Sequence, residues 1–555
     1  MAKIKKFFKE NWILILILVV AAFLRLFKLG SFPVSLTWDE TALGYNAFSL
    51  LKTGRDEYGK LLPLVLKSFG DYKPALYSYL AIPSILVFGL NEFAVRLPSA
   101  LFGILSVFLV YKFSLLFFKD KTKALFISFA LALMPWHISF SRGAWESNVA
   151  LFFILLGIYC FLRLKENIKF LYFSALSFGV VVLTYQGGKM MVPLIILGLL
   201  IFFFKDFKRF DKKHLIFSVL VLFVLSLPIL SATFFGGGGR LKVMSLFSYH
   251  RPQEEIQEII NQDEGNKFIF SLFHSESLFY TQGILGRFFN HFSGRFLFFE
   301  GDWSSQRHGP PYMGMLYYID ILFLILGSVY LIRNKIKRSG FIWWWLIISV
   351  LPSALTRDSI QAVRSLNMIL PLSILIGLGL CEICSWLRQK KRLIFVLIGG
   401  FLLVFYTYCF VYYLDMYYIH YPLKSSEYWQ YGHKQVVREV YKNQDRYSKI
   451  IFTQGYGQPY IFWLFYSKYD PSLYQKQALL TENPYGDVGK VERFDNIEFR
   501  DIYWPNDRSL KNSLFIGTEE ELPLRDINPN QARILKEIIF KNGRIAFRVV
   551  ETYED

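Results

Sequence analysis

Long apolar runs interrupted by short basic patches dominate this chain, and no other feature constrains its fold as tightly. A helix that crosses a bilayer needs about 20 apolar residues, with a usable range of about 17–25. Runs of that order lie near 11–30, 95–118, 124–141, 149–164, 170–187, 190–204, 215–233, 314–332, 341–356, 366–387 and 393–415. A soluble domain reaches about 45–50% apolar residues only with glycine included. Here 54% of 555 residues are hydrophobic before glycine is counted, and 57 are Phe. Those figures exclude a disordered or fibrous chain. The formal charge of +19 invites a nucleic-acid reading, but the basic residues sit between apolar runs, so no nucleic-acid partner is expected. The chain reads as a polytopic α-helical membrane protein.

One further apolar stretch, 74–90, carries Pro74 and Pro83 and either spans or lies along the surface as an interfacial helix. Cytoplasmic loops carry an excess of Lys and Arg. With 74–90 on the surface and the N-terminus inside, the patches Lys119 to Lys123, Arg163 to Lys169, Lys205 to Lys213, Arg333 to Arg338 and Arg388 to Arg392 all face the cytoplasm. A crossing at 74–90 would send every one of them outside. About 11 transmembrane helices with an interfacial helix in the first outer loop is therefore the expected architecture. The N-terminus has the charged start of a signal peptide, but Arg25 and Lys28 stand where a small-residue cleavage site belongs, which predicts an uncleaved first span.

This bookkeeping predicts a transmembrane module over 1–415 with outer loops at 31–94 and 234–313, and a small extracytoplasmic α/β domain over 416–555. In that tail, Lys449 to Gln454 and Ser513 to Gly517 read as buried strands and Gln531 to Lys541 as a helix. The tail is expected to shape acceptor choice rather than carry chemistry. The run Gly236 to Gly239 lacks the ending of a phosphate-binding loop and reads as a flexible link, so no nucleotide cofactor is expected. The cysteines Cys160, Cys381, Cys384 and Cys409 all lie in apolar stretches and read as packing residues.

Polar residues at the outer span ends supply the candidate chemistry. Thr37-Trp38-Asp39-Glu40 follows the first span directly. Two adjacent carboxylates repel each other and invite shifted pKa values, although acids at a helix start also serve as caps. Lys73-Pro74 opens the surface helix, with proline where a first turn tolerates it. Ser141-Arg142-Gly143-Ala144-Trp145-Glu146 joins spans three and four, and Gln186 and Lys189 lie between spans five and six. His291, Arg295, Asp302, Arg307 and His308 lie in the long loop, and Thr356 to Arg364 between spans nine and ten. Each cluster alone is explained by anchoring or snorkelling. Together, acids and bases from distant segments meet at one membrane face, which favours a reaction site.

The order Trp38-Asp39-Glu40, Lys73-Pro74-Ala75-Leu76-Tyr77, Arg96-Leu97-Pro98-Ser99-Ala100-Leu101-Phe102-Gly103 and Ser141-Arg142-Gly143-Ala144 resembles the GT-C glycosyltransferases of family 39, which include protein O-mannosyltransferases and lipid A aminoarabinose transferases. The resemblance implies that Asp39 is the base or acceptor-binding carboxylate, with Glu40 the adjacent acid. The family often places a further acid where Ser147 stands, and this chain offers Glu146 instead. The Trp-Trp-Asp-Tyr-Gly motif of oligosaccharyltransferases is absent, which implies transfer of a monosaccharide.

The implied donor is a polyprenyl-phosphate-linked sugar, with a protein, lipid or glycan as acceptor. Its leaving phosphate needs cations in a partly dry site, for which Lys189, Arg295 and Arg364 are suitable. Lys73, Arg142, Glu146, His291 and Asp302 complete the donor-binding candidates, and Asp39 and Glu40 are the catalytic ones. No compact His/Asp spacing assigns a metal site, and a divalent ion stands as an open alternative. A polytopic transporter or lipid flippase is the alternative function, but such proteins favour charges at mid-membrane depth and repeated halves.

Overall fold

A computed structural model of the chain describes residues 2–69, 71–207, 211–235, 244–477, 479–481 and 489–554. Each expected apolar run carries a helix: Ala2–Leu26, Glu92–Phe118, Lys121–Leu133 with Pro135–Ser141, Glu146–Leu162, Lys169–Thr184, Gly188–Phe207, Lys212–Phe235, Asp320–Arg333, Gly340–Ile348 with Leu351–Ala354, Ile369–Arg388 and Arg392–Asp415. Among the described residues five helices are long and apolar enough to cross a membrane unaided, and a sixth span results if the pair 121–141 counts as one. That pair bends by 59°. Met134 is extended, with ψ 120°, and Pro135 starts the second piece. A residue before proline is driven out of the helical region, and proline itself has no N–H to continue the ladder. The glycine run 236–239 lies outside the described residues.

Small residues let the helices close on each other. A Cβ on Gly327 would fall 1.9 Å from the Leu375 carbonyl oxygen, and one on Gly379 would fall 2.0 Å from that of Phe323. The helices Asp320–Arg333 and Ile369–Arg388 therefore touch backbone to backbone.

The stretch expected to lie on the surface carries a helix over Leu76–Phe88. Thirteen residues at about 1.5 Å each reach about 20 Å, short of a bilayer core of about 30 Å. Lys73 and Pro74 do not open it, contrary to expectation. They end the strand Asp71–Pro74, which pairs antiparallel with Val65–Ser68, Leu66 facing Lys73. The residue before a proline prefers extended backbone, and the hairpin uses that preference.

Beyond the last long helix the chain builds a six-stranded sheet, in the order Arg493–Phe494, Ile497–Phe499, Lys449–Phe452, Ser513–Gly517, Ile545–Thr552, Ala532–Ile539. Lys449–Phe452 runs parallel to both neighbours, and the other pairs are antiparallel. The two expected strands are present. The helix expected over Gln531 to Lys541 is instead the edge strand Ala532–Ile539. Its charges explain the difference: Arg533 sits opposite Glu551 and Glu537 opposite Arg548, and both pairs form ion pairs. Cross-strand pairs of opposite charge favour the sheet, and the Asn542-Gly543 turn, with Gly543 at φ +90°, returns the chain.

The transmembrane part and the tail do not part cleanly at 415/416. The helical run continues to Ser425, and a single hydrophobic core joins the two. Leu43, Tyr45, Ile85 and Val95 from the N-terminal part pack in it with Val437, Ile461, Phe462 and Phe465 from the tail.

Candidate active site

Helix Trp38–Thr53 begins with Thr37 as its N-cap, and Thr37 and Glu40 form a reciprocal capping box. Capping thus falls to Glu40. Its Oε1 also accepts from Arg96 Nε at 2.9 Å and from the Ala144 N–H at 2.8 Å, and its Oε2 from Arg96 Nη2 at 3.1 Å and the Thr37 N–H at 3.1 Å. Arg96 is wholly buried, and its remaining donors go to the carbonyls of Leu29, Pro33 and Ser35. Glu40 is therefore a tie between helix starts, not a carboxylate open to a ligand.

Successive helical residues point about 100° apart, so Asp39 leaves the helix in another direction. Its side chain is 39% exposed and forms an ion pair with Lys73, whose side chain is 12% exposed. Lys73 Nζ also lies 5.0 Å from the centroid of the Phe69 ring. The two acids do not share one field, as adjacency suggested. Each has its own cation, and Asp39 is the one that solvent reaches.

Lys189 follows the next loop, in the first turn of helix Gly188–Phe207. Gln186 donates to the Tyr72 carbonyl, which ties the loop to the strand that carries Lys73, and Lys189 donates to Thr233 Oγ1 at 2.7 Å. Glu146 is half-buried in the first turn of Glu146–Leu162, whereas Ser147 is buried. Trp145, just before it, meets the His308 ring edge-on at 5.6 Å.

Four other candidates are committed elsewhere. Arg142 is wholly buried and donates to the carbonyls of Leu24, Phe27 and Phe32 and to the Tyr417 hydroxyl, at 2.8 to 3.2 Å. It serves carbonyls at and just past the end of the first helix, so four of its five N–H donors are already committed. His291 donates from Nδ1 to the Arg287 carbonyl at 2.7 Å and accepts the Gln361 N–H at Nε2, while burial holds its pKa down. Asp302 accepts from Ser304 and the Ala362 N–H and from His308 Nδ1 at 2.6 Å. Burial alone would raise its carboxyl, but the His308 imidazole and these donors outweigh it and hold it below the ordinary range. Arg295 stacks 4.3 Å over Trp303 on the surface and pairs with Glu300 at 2.6 Å. Arg364 is less committed: it pairs with Asp358 at 2.6 Å beside Thr356, two residues past the Ala362 contact to Asp302.

Sequence reasoning missed the support of this site. Arg96 is a lone guanidinium inside an apolar helix, and that rarity was the available signal. His308, named in the outer-side set, is oriented by Asp302, whereas Gln430, whose Oε1 accepts the Trp38 N–H at 2.7 Å, carried no signal of its own. Among the described residues no group of three or more His, Cys, Asp or Glu is placed to hold a metal ion.

Glu57 is a further buried acid, at the junction between this site and the tail. Asn46 Nδ2 donates to its Oε1 at 3.0 Å, and the Tyr460 hydroxyl lies 3.2 Å from its Oε2. Burial pushes its carboxyl from near 4.5 up to about 8. The unfolded chain then ionises Glu57 before the folded one does, so stability falls as pH rises between those values. Thermal unfolding of the wild type should show this fall from pH 5 to pH 8. Glu57→Gln, neutral throughout, should flatten it, and an unchanged slope would contradict the assignment.

Residues 72–231 match the family model described as Dolichyl-phosphate-mannose-protein mannosyltransferase. The Trp-Asp-Glu turn precedes that stretch. The Bacillus subtilis (strain 168) protein named "Putative mannosyltransferase YycA" is 26% identical over 215 residues, which cover 38% of this chain and only 30% of that relative's length. The crystal structure of ArnT from Cupriavidus metallidurans in the apo state matches with a TM-score of 0.55 at 13% identity, over 99% of this chain and 98% of that one. The same protein bound to undecaprenyl phosphate matches with a TM-score of 0.53 at 12% identity, over 97% and 98%. At such identities the likeness is one of fold. The resemblance read from the sequence stands: the chain is similar to the GT-C glycosyltransferases and has a fold of their type.

Proposed function

We propose that this protein is a multi-pass membrane glycosyltransferase that moves one sugar from a polyprenyl-phosphate donor to a protein, lipid or glycan acceptor on the extracytoplasmic face. The observation that carries this reading is the split between the two adjacent acids. Glu40 is buried in a tie with Arg96, and Asp39 is left partly exposed beside Lys73. A rigid helix start holding one accessible carboxylate next to one cation suits a displacement that needs a base and a phosphate binder.

In this reaction the acceptor hydroxyl attacks the anomeric carbon while the bond from that carbon to the phosphate oxygen breaks. The hydroxyl proton passes to Asp39, and the electron pair leaves with the polyprenyl phosphate. One displacement inverts the anomeric configuration and needs no covalent intermediate. Lys73 meets the phosphate, with Lys189 from the start of helix Gly188–Phe207 and Arg364 as further cations. Lys73 has a second effect. A cation that turns from Asp39 to the donor phosphate weakens this ion pair, and a carboxylate that feels less opposite charge becomes a better proton acceptor. Donor binding would thus arm the base. The five basic loops support an N-terminus in the cytoplasm, with the tail and the helix Leu76–Phe88 on the outer side.

Purified protein in lipid vesicles, given a panel of radiolabelled polyprenyl-phosphate sugars and extracted cell-surface acceptors, should release polyprenyl phosphate in step with label transfer. Folded protein that turns over none of the panel would count against the reading.

A further inference from the structure

The first N–H groups of a helix have no partner inside it. In helix Trp38–Thr53 the Glu40 N–H is met by Thr37 within the capping box. The Trp38 N–H is met by Gln430 Oε1 at 2.7 Å, from a residue far along the chain in the tail. Gln430 is buried, and its Nε2 donates to the Tyr456 carbonyl at 2.9 Å. Its backbone is left-handed, with φ +53°. A non-glycine residue rarely sits there, and such strain persists only where surrounding contacts demand it. The Trp38 ring is held as well. Gly457, at φ +104°, approaches so closely that a Cβ there would lie 2.5 Å from the ring, and the Arg307 guanidinium lies 5.6 Å from its centroid. The neighbouring tail residue, Trp429, stacks 5.7 Å from the Arg96 guanidinium that anchors Glu40.

We infer that Gln430 is a positioning residue for Asp39, so that the tail forms part of the catalytic frame and not only an acceptor-selecting cap. The inference rests on the function proposed above. Trp38 and Asp39 share a peptide bond, so a helix start that loses its tail anchor lets the carboxylate drift. Misplacing a reacting group by about 1 Å can cost about 10²-fold. Lys73 is carried by a separate strand, Asp71–Pro74, so donor binding should survive.

The test combines Gln430→Ala, Gln430→Glu and Asp39→Asn in vesicles. Gln430→Ala should lower kcat by about 10-fold or more, with the KM for the lipid-linked donor within about twofold. Gln430→Glu keeps the acceptor oxygen but loses the donor to the Tyr456 carbonyl, so its rate should fall between those of Gln430→Ala and wild type. In the Asp39→Asn background, Gln430→Ala should add little, because the group it positions has gone. A normal kcat for Gln430→Ala beside an inactive Asp39→Asn overturns this inference alone. So does an equal further loss in both backgrounds, or a Gln430→Glu rate no higher than that of Gln430→Ala when its thermal unfolding matches wild type. Full turnover by Asp39→Asn overturns the proposed function, and this inference with it.

Discussion

Asp39→Asn should lower turnover by about 10²–10⁴-fold, the usual loss when a general base is removed, while the protein folds and still binds donor. Asparagine keeps the size and polarity of aspartate but cannot take a proton. The fold should tolerate the change because the capping box belongs to Thr37 and Glu40, and the Asp39 side chain is 39% exposed. Loss of a partly exposed ion pair costs little beyond the about 0–1 kcal/mol of a surface pair, so unfolding should shift only slightly. The expected pattern is a low kcat, with donor affinity unchanged or raised, since Lys73 loses a competing partner. Single-turnover kinetics with a saturating labelled donor would read both quantities. Near-normal turnover would remove Asp39 from the reaction and leave Lys73 with a merely structural anion.

Most of the helical architecture was legible because a bilayer sets span length and Lys and Arg mark loops, so each run is read on local evidence. The tail was less so. Gln531 to Lys541 has charges and isoleucines that fit a helix or an edge strand, and only its partner strand, with Glu551 and Arg548 opposite Arg533 and Glu537, decides. The site was legible in its residue types but not in its pairings. Arg142, His291 and Asp302 look like binding groups in sequence. Each is instead consumed by carbonyls, N–H groups or a histidine, most of them from other segments. Burial of a charge is set by such long-range partners, which local pattern does not contain. Adjacency also misled at Asp39 and Glu40, since a helix turns neighbours apart and gives each its own cation.

Arg96→Met should cost about 3–5 kcal/mol of stability, the range for removing one partner of a buried ion pair. The guanidinium is wholly buried and holds three loop carbonyls as well as Glu40. Methionine fills much of the volume but leaves Glu40 buried without its cation. Arg96→Lys should rescue little, because a compact ammonium cannot span the Glu40 carboxylate and the carbonyls of Leu29, Pro33 and Ser35 at once. Adding Glu40→Gln to Arg96→Met removes the orphaned charge, so the double variant should be more stable than the single. That sign is diagnostic of a coupled pair. Chemical unfolding in detergent, followed by tryptophan fluorescence, measures these three variants and Glu40→Gln alone, which closes the cycle. A single-variant cost below about 1 kcal/mol, or costs that simply add, would mean that Glu40 is not held as a buried tie. Glu40 would then return to the reaction beside Asp39, and the division between an accessible base and a structural acid would fail.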